Sequence, residues 1–293
     1  MPREAPRFLS RPDGRRLAWT ELGAPRGRPV LVLHGSPGCR FARFDDEKRL
    51  VDADIRLISY DRPGYADSDP LPGRRIADAV GDIEAVLDAA QVPQAALLGT
   101  SGGGPHALAA AVLIPGRVRV AHCHGGCAPR AGFDGDWFAG MDRQNVRRLQ
   151  TTALPREQAH AALKADLDHA VAAARVDPMT IHANMELPEA DRQVMRVTGP
   201  AYAANLLEAL RPGYWGFVDD FAAHMRDWGF DPRTAKAPVV IEYGAHDVNV
   251  PAAHGRWLAA RIPGAAAIVN ASAGHRSMPE QAFQRLLRLA SMA

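Results

Sequence analysis

The chain has 293 residues, with 35 Lys and Arg against 33 Asp and Glu, a formal net charge of +2 and an apolar share of 47 %. A chain of this length buries roughly 75 % of its unfolded surface, and a near-neutral balance without basic runs argues against nucleic acid as a partner. Three cysteines, Cys39, Cys123 and Cys127, make no disulfide framework; no apolar stretch approaches the ~18 residues of a membrane span; and the first residues lack the apolar core of a secretion signal. The expectation is therefore a cytoplasmic protein with no membrane partner.

The first element is a hairpin, Arg7 to Ser10 and Arg16 to Glu21 around the turn signal Asp13-Gly14. Continuous apolar runs follow at Pro29 to Leu33, Ile55 to Tyr60, Ala95 to Leu98, Val118 to Ala121, Val239 to Tyr243 and Ala266 to Val269. Such runs suit strands buried on both faces of a parallel sheet. Ile76, Val80, Ile83 and Leu87 fall on one helical face, and Phe283, Leu286, Leu287 and Ala290 do the same near the C-terminus. Ser277 and Glu280 read as a capping box for that last helix. Strands alternating with helices predict an α/β fold, a mostly parallel central sheet flanked by helices. The alternation fails from Ala131 to Gly213, where helical patterns punctuated by Asp177-Pro178, Leu187-Pro188, Gly199-Pro200 and Pro212-Gly213 predict a helical insertion. The chain divides accordingly into 1–130, 131–213 and 214–293. Four methionines of the insertion, Met141, Met179, Met185 and Met195, are expected to pack in core or pocket.

The most informative motif is Gly99-Thr100-Ser101-Gly102-Gly103, between the apolar run ending at Leu98 and the helix-forming stretch from His106 to Leu113. A G-x-S-x-G on a strand-to-helix turn is a nucleophile elbow, which exposes one serine hydroxyl. A serine needs a base, an acid and an oxyanion hole. Asp247 follows one predicted strand and His275 the next, in the Ser, Asp, His order that an elbow requires. His275 is the candidate base and Asp247 the acid that orients it. The oxyanion donors are expected to be the backbone N–H groups of Gly102 and, from the loop His34-Gly35-Ser36-Pro37-Gly38, of Ser36.

These pieces, with Asp61 to Asp69, Gly244 to Pro251 and Gly274-His275, resemble the α/β-hydrolase superfamily in its serine esterase and proline-iminopeptidase-like branch. The resemblance implies an α-helical cap over the active site, where the 131–213 segment would stand. Proline iminopeptidases carry a tryptophan after the serine; Gly102 stands here instead, which counts against aminopeptidase activity. The expected function is hydrolysis of a small-molecule acyl substrate (an ester, lactone or thioester) through an acyl-enzyme, with no cofactor and no metal. The same site would also serve acyl transfer, perhydrolysis, lyase or cyclase chemistry, or a slow-turnover ligand receptor.

Other residues read as structural. Asp61 and Arg62 are expected to pair and hold the loop before Gly64, and His34 and His106 to be hydrogen-bonded histidines. His122-Cys123-His124 lacks the second ligand pair of a metal site. Gly102 to Ala107 formally matches a dinucleotide fingerprint, but no acidic residue follows where one is needed. Trp137, Phe138, Met141, Tyr202 and Trp215 are candidates for either pocket or cap core.

Overall fold

The computed structural model describes residues 5–42, 46–182, 185–277 and 282–292. In chain order the elements are β1 (Arg7–Ser10), β2 (Arg16–Gly23), β3 (Arg28–Leu33), α1 (Glu47–Asp52), β4 (Ile55–Tyr60), α2 (Ala79–Ala89), β5 (Ala95–Thr100), α3 (Gly104–Leu113), β6 (Val118–His124), α4 (Arg143–Thr151), α5 (Arg156–Val176), α6 (Glu189–Ala209), α7 (Trp215–Met225), β7 (Val239–Gly244), α8 (Ala252–Arg261), β8 (Ala266–Asn270) and α9 (Ala282–Met292). The strands form one sheet in the order β1-β2-β4-β3-β5-β6-β7-β8. β1 and β2 are antiparallel; from β4 to β8 every pairing is parallel.

The apolar runs are continuous because both faces of the sheet are covered. Val30, Val32, Leu57, Leu98, Val120 and Val240 turn toward Leu50 of α1 and Leu286 and Leu289 of α9. The alternate residues Leu31, Leu33, Ile58, Leu97 and Ile241 turn toward Ile83 and Leu87 of α2, Leu108 of α3 and Trp257 and Leu258 of α8. Strand periodicity of two thus feeds two cores from one sequence run. Ile76, Val80, Ile83 and Leu87 are all buried, as their helical spacing predicts.

Between β6 and β7 the described residues contain helices and no strand. These helices make a third core, with Leu149, Leu163, Leu167, Leu206, Phe217 and Trp228 buried in it. Gly199-Pro200 does not interrupt the chain there: α6 runs through it for 21 residues with Pro200 inside. Proline costs a helix interior roughly 3 kcal/mol, and packing of the buried residues Val194, Met195, Ala203 and Leu206 on either side sustains it. Met141 and Met195 are buried, whereas Met179 is exposed. The capping box expected from Ser277 and Glu280 falls partly outside the described residues; Ser277 itself bonds Asp191 instead. No described helix is long and apolar enough to cross a membrane.

A buried ion pair fastens α9 to the sheet. Arg285 Nε and Nη2 donate to the two oxygens of Glu242 on β7, each at 2.6 Å, and His122 Nε2 lies 2.9 Å from the same carboxylate. Burial opposes the Glu242 charge, but Arg285 and His122 outweigh it and hold the carboxyl well below the usual glutamate range. Removing one partner strands a buried charge. Arg285→Met should therefore lower unfolding free energy by about 3–5 kcal/mol in urea titrations, and adding Glu242→Leu should restore most of the loss.

Candidate active site

Four strand ends on one edge of the sheet build the site. β5 leads directly into Ser101, whose φ of 52° lies in the left-handed region. A non-glycine residue held there stores on the order of 1–3 kcal/mol. The turn around it is closely packed: a Cβ added to Gly99 would collide with the Gly103 carbonyl, and one on Gly103 with the Leu33 carbonyl. The sharp turn sends the Ser101 side chain away from the sheet, and α3 then carries the chain off with Pro105 in its first turn.

β7 and β8 deliver the other two groups. Their exit loops are stitched together by Ala245 N donating to Asn270 O and His246 N to Ala273 O, both at 3.0 Å. Asp247 lies just beyond β7, 4 % exposed. One of its oxygens accepts from the backbone N–H groups of Asn249 and Val250, each at 2.8 Å. The other lies 2.6 Å from His275 Nδ1. An ionised carboxylate only accepts, so Nδ1 carries the imidazole proton and Nε2 is left as an acceptor. His275 Nε2 stands 2.9 Å from Ser101 Oγ. The three residues, spread over 174 positions from Ser101 through Asp247 to His275, meet in one hydrogen-bonded chain.

The loop after β3, the strand beside β5, brings Ser36 against the elbow. A Cβ on Gly102 would collide with Ser36 Oγ, so the residue after the serine has no room for a side chain. Ser36 Oγ donates to Asp220 of α7 at 2.5 Å and accepts from Arg62 Nη2 at 2.9 Å. Arg62 Nη2 also donates to Asp220 at 2.6 Å, Arg74 Nη2 at 2.8 Å and Tyr65 OH at 3.1 Å. Arg62 further donates to the His34 carbonyl. Asp61 and Arg62 do not pair with each other, as the sequence suggested. Asp61 bonds Arg40 and Arg62 bonds Asp220, so each of the two neighbours meets a buried partner distant in sequence. His34 and His106 hold backbone groups: Arg62 N donates to His34 Nε2 at 3.0 Å, and His106 Nδ1 lies 2.9 Å from Gly102 O.

Asp220 is fully buried. Burial alone would raise its pKa, yet the Arg62 and Arg74 guanidiniums prevail and hold it well below the usual aspartate value of 3.8. The carboxylate therefore stays charged and anchors the Ser36 loop.

A cavity of about 60 Å³ opens onto Ser101, Gly102 and Ser36. Its apolar walls are Trp137, Met141, Leu149, Phe221 and Val250. Polar atoms come from Asn145, Asn249, Cys127 and His224, and no Lys or Arg is among the described residues that line it. Burial pushes the His224 pKa down to about 4, so the imidazole is neutral. Its Nδ1 lies 3.6 Å from Cys127 Sγ, and its Nε2 would be 3.2 Å from a Cβ on Gly102. Of the five aromatic and methionine candidates, Trp137 and Met141 reach the cavity. Trp215 instead stacks on His160, with ring centroids 3.9 Å apart, Tyr202 packs under the Arg276 guanidinium, and Phe138 sits edge-on to Trp137.

A profile of the alpha/beta hydrolase fold matches residues 28–282. The chain belongs to the alpha/beta hydrolase fold family. Within it, the chain is similar to a 2-hydroxy-6-oxononadienedioate/2-hydroxy-6-oxononatrienedioate hydrolase of Cupriavidus pinatubonensis, 28 % identical over 96 % of this chain and 93 % of that protein. It is also similar to a proline iminopeptidase of Xylella fastidiosa, 35 % identical but over only 35 % of this chain and 34 % of the other. Among solved structures, a hydrolase from Pseudomonas aeruginosa PA01 shares the fold at a TM-score of 0.70 and 22 % identity, with 98 % of each chain covered.

Sequence reading missed the buried residues that support the alpha/beta hydrolase site, Asp220 and Asp191 above all. Each is a helical aspartate with another acidic residue beside it or two positions away, and no local motif marks it as part of a site. Since a carboxyl held below its unfolded pKa stabilises above that value and loses its contribution as pH falls toward the folded one, Asp220 stabilises the fold fully above about pH 4. Asp220→Asn should cost about 3–5 kcal/mol at pH 7 and flatten the decline in stability below pH 4, measured by guanidinium midpoints across pH.

Proposed function

We propose that this alpha/beta hydrolase is a serine hydrolase of small, uncharged acyl substrates. The observation that carries the reading is the continuous chain Ser101 Oγ to His275 Nε2 at 2.9 Å and His275 Nδ1 to Asp247 at 2.6 Å. His275 takes the Ser101 proton as Oγ attacks the acyl carbon, and Asp247 stabilises the imidazolium that forms. The N–H groups of Gly102 and Ser36 receive the developing oxyanion, each worth about 3 kcal/mol in the transition state. His275 then passes its proton to the leaving group, draws one from water as the water oxygen attacks the acyl carbon, and returns it to Ser101 Oγ as the bond to the acyl carbon breaks and the acid leaves. No step calls on a cofactor.

The cavity narrows the substrate. A space of about 60 Å³ is small beside the roughly 300–1,000 Å³ of a drug-sized ligand site, so a short acyl group fits. Apolar walls and a neutral His224 favour an acyl group carrying no charge. The dioate in the name of the Cupriavidus relative would bring two carboxylates, and burying a charge without a partner is costly. With no Lys or Arg among the described residues of the cavity wall, the reading disfavours a dicarboxylate substrate. The collision that a side chain at residue 102 would make with Ser36 likewise separates this site from the tryptophan-bearing iminopeptidases.

A fluorophosphonate probe should label wild-type protein at Ser101. Ser101→Ala should lose labelling and lower kcat on p-nitrophenyl acetate by about 10⁴–10⁶-fold. Absence of both labelling and ester cleavage in wild type would overturn the reading. Within a p-nitrophenyl ester series, kcat/KM should favour acetate and propionate over octanoate at least tenfold.

A further inference from the structure

Asp191 stands in the first turn of α6, 84 residues before His275, and is fully buried. Its carboxylate is met by three successive backbone N–H groups of the loop that holds His275. His275 N donates to Oδ2 at 2.9 Å, while Arg276 N at 3.0 Å and Ser277 N at 2.8 Å donate to Oδ1. Ser277 Oγ adds a fourth bond at 2.7 Å. Consecutive N–H groups converging on one anion form a nest, and hydrogen bonds to an ionised acceptor are about twice as strong as neutral ones. The contact is close on the other side as well. A Cβ added to Gly274 would fall 2.5 Å from Asp191 Oδ2, so the carboxylate lies flat against that glycine.

Sequence explains why this aspartate is available. An acidic residue at the third position of a helix commonly turns back to cap the N-cap backbone N–H. The N-cap of α6 is Pro188, which has no N–H to offer. The Asp191 carboxylate turns to the His275 loop instead.

We infer that Asp191 of the inserted helix α6 is a positioning residue for the base, holding the His275 backbone where its imidazole reaches Ser101. The inference rests on the reading of His275 as the base. The His275 ring is fixed by Asp247, but its backbone is fixed from the opposite side of the site by α6. The loop is tied to the β7 exit as far as Ala273; Gly274 N then donates to Ser277 Oγ at 2.7 Å, and the next three backbone N–H groups go to Asp191. A second tie is adjacent, where Arg276 Nη2 donates to Tyr202 OH, also on α6, at 3.1 Å. Seating of the inserted helix and formation of the Ser101–His275 contact are therefore one event. Movement of α6 away from the sheet releases the base while leaving the cavity wall, to which α6 contributes none of the described residues, in place.

The charge is essential to the geometry. Asp191→Asn keeps the shape but removes the charge and turns an NH₂ group on at least one N–H donor, so the nest is weakened and the His275 backbone shifts. An ångström of misplacement costs about 10²-fold in rate. Asp191→Asn should lower both kcat on p-nitrophenyl acetate and the fluorophosphonate labelling rate of Ser101 about 30–300-fold. The Ki of p-nitrophenyl ethyl ether, which occupies the site but offers no acyl carbon, should stay within about threefold of wild type, on the order of 0.6 kcal/mol. Gly274→Ala, which displaces the carboxylate without removing its charge, should act in the same direction. Ser277→Ala, which removes one of the four bonds, should cost about 3–10-fold in kcat, or roughly 0.7–1.4 kcal/mol. Near-wild-type kcat in Asp191→Asn would overturn the inference, as would loss of ether binding in step with kcat. Should Asp191→Asn fail to fold by circular dichroism, wild-type rates in both Gly274→Ala and Ser277→Ala would overturn it equally. A wild-type protein that neither labels nor cleaves ester points to a different failure, that of the hydrolase reading itself.

Discussion

The site depends on one constraint: β3, β5, β7 and β8 run parallel and end on the same edge of the sheet. Parallel strands have all their carboxyl ends together, and groups placed just beyond them converge. Ser36, Ser101, Asp247 and His275 each follow one of these strands. The backbone strain at Ser101 is tolerable because β5 is central, hydrogen-bonded on both sides and buried on both faces. An edge strand with a solvated face would have less packing to set against it.

Around this apolar frame the functional loops are held by buried charge. Asp220 of α7 meets the Ser36 loop through Arg62 and a direct hydroxyl bond, and Asp191 of α6 meets the His275 loop through backbone N–H groups. Both carboxylates are fully buried, so their partners are not optional: an unpaired buried charge costs several kcal/mol. That makes each contact close to all-or-none, which suits groups that must be placed to a fraction of an ångström. The two proposed halves of the machinery, base and oxyanion donors, thus answer to helices outside the sheet. One of these helices, α7, also carries Phe221 of the cavity wall, so it both shapes the substrate space and steadies a loop of the site.

Much of the sheet was legible in the sequence because strands buried on both faces write continuous apolar runs, and the two flanking cores account for every alternate residue of Val30 to Leu33. The hairpin at Asp13-Gly14 and the turn at Ser101 were legible because tight turns demand particular residues at particular offsets. The Gly199-Pro200 pair misled, since a helix packed into a core along much of its length tolerates a proline that an isolated helix would not. The pairing of Asp61 with Arg62 misled for another reason. Adjacency in sequence says little about where two side chains point, and each found a buried partner elsewhere, Arg40 and Asp220.

Read alone, the residues establish an alternating α/β chain with a serine on a strand-to-helix turn, an aspartate and a histidine after later strands, and helices inserted between. They do so because each of those features is a local demand of the backbone or a fixed position relative to a strand end. The cavity wall, the neutral state of His224, the anchoring of the Ser36 loop by Asp220 and the seating of His275 on Asp191 appear only once the chain is folded. Those contacts join residues up to 184 positions apart, and a pairing made across such a distance depends on packing between elements, which leaves no periodicity or spacing for a sequence to display.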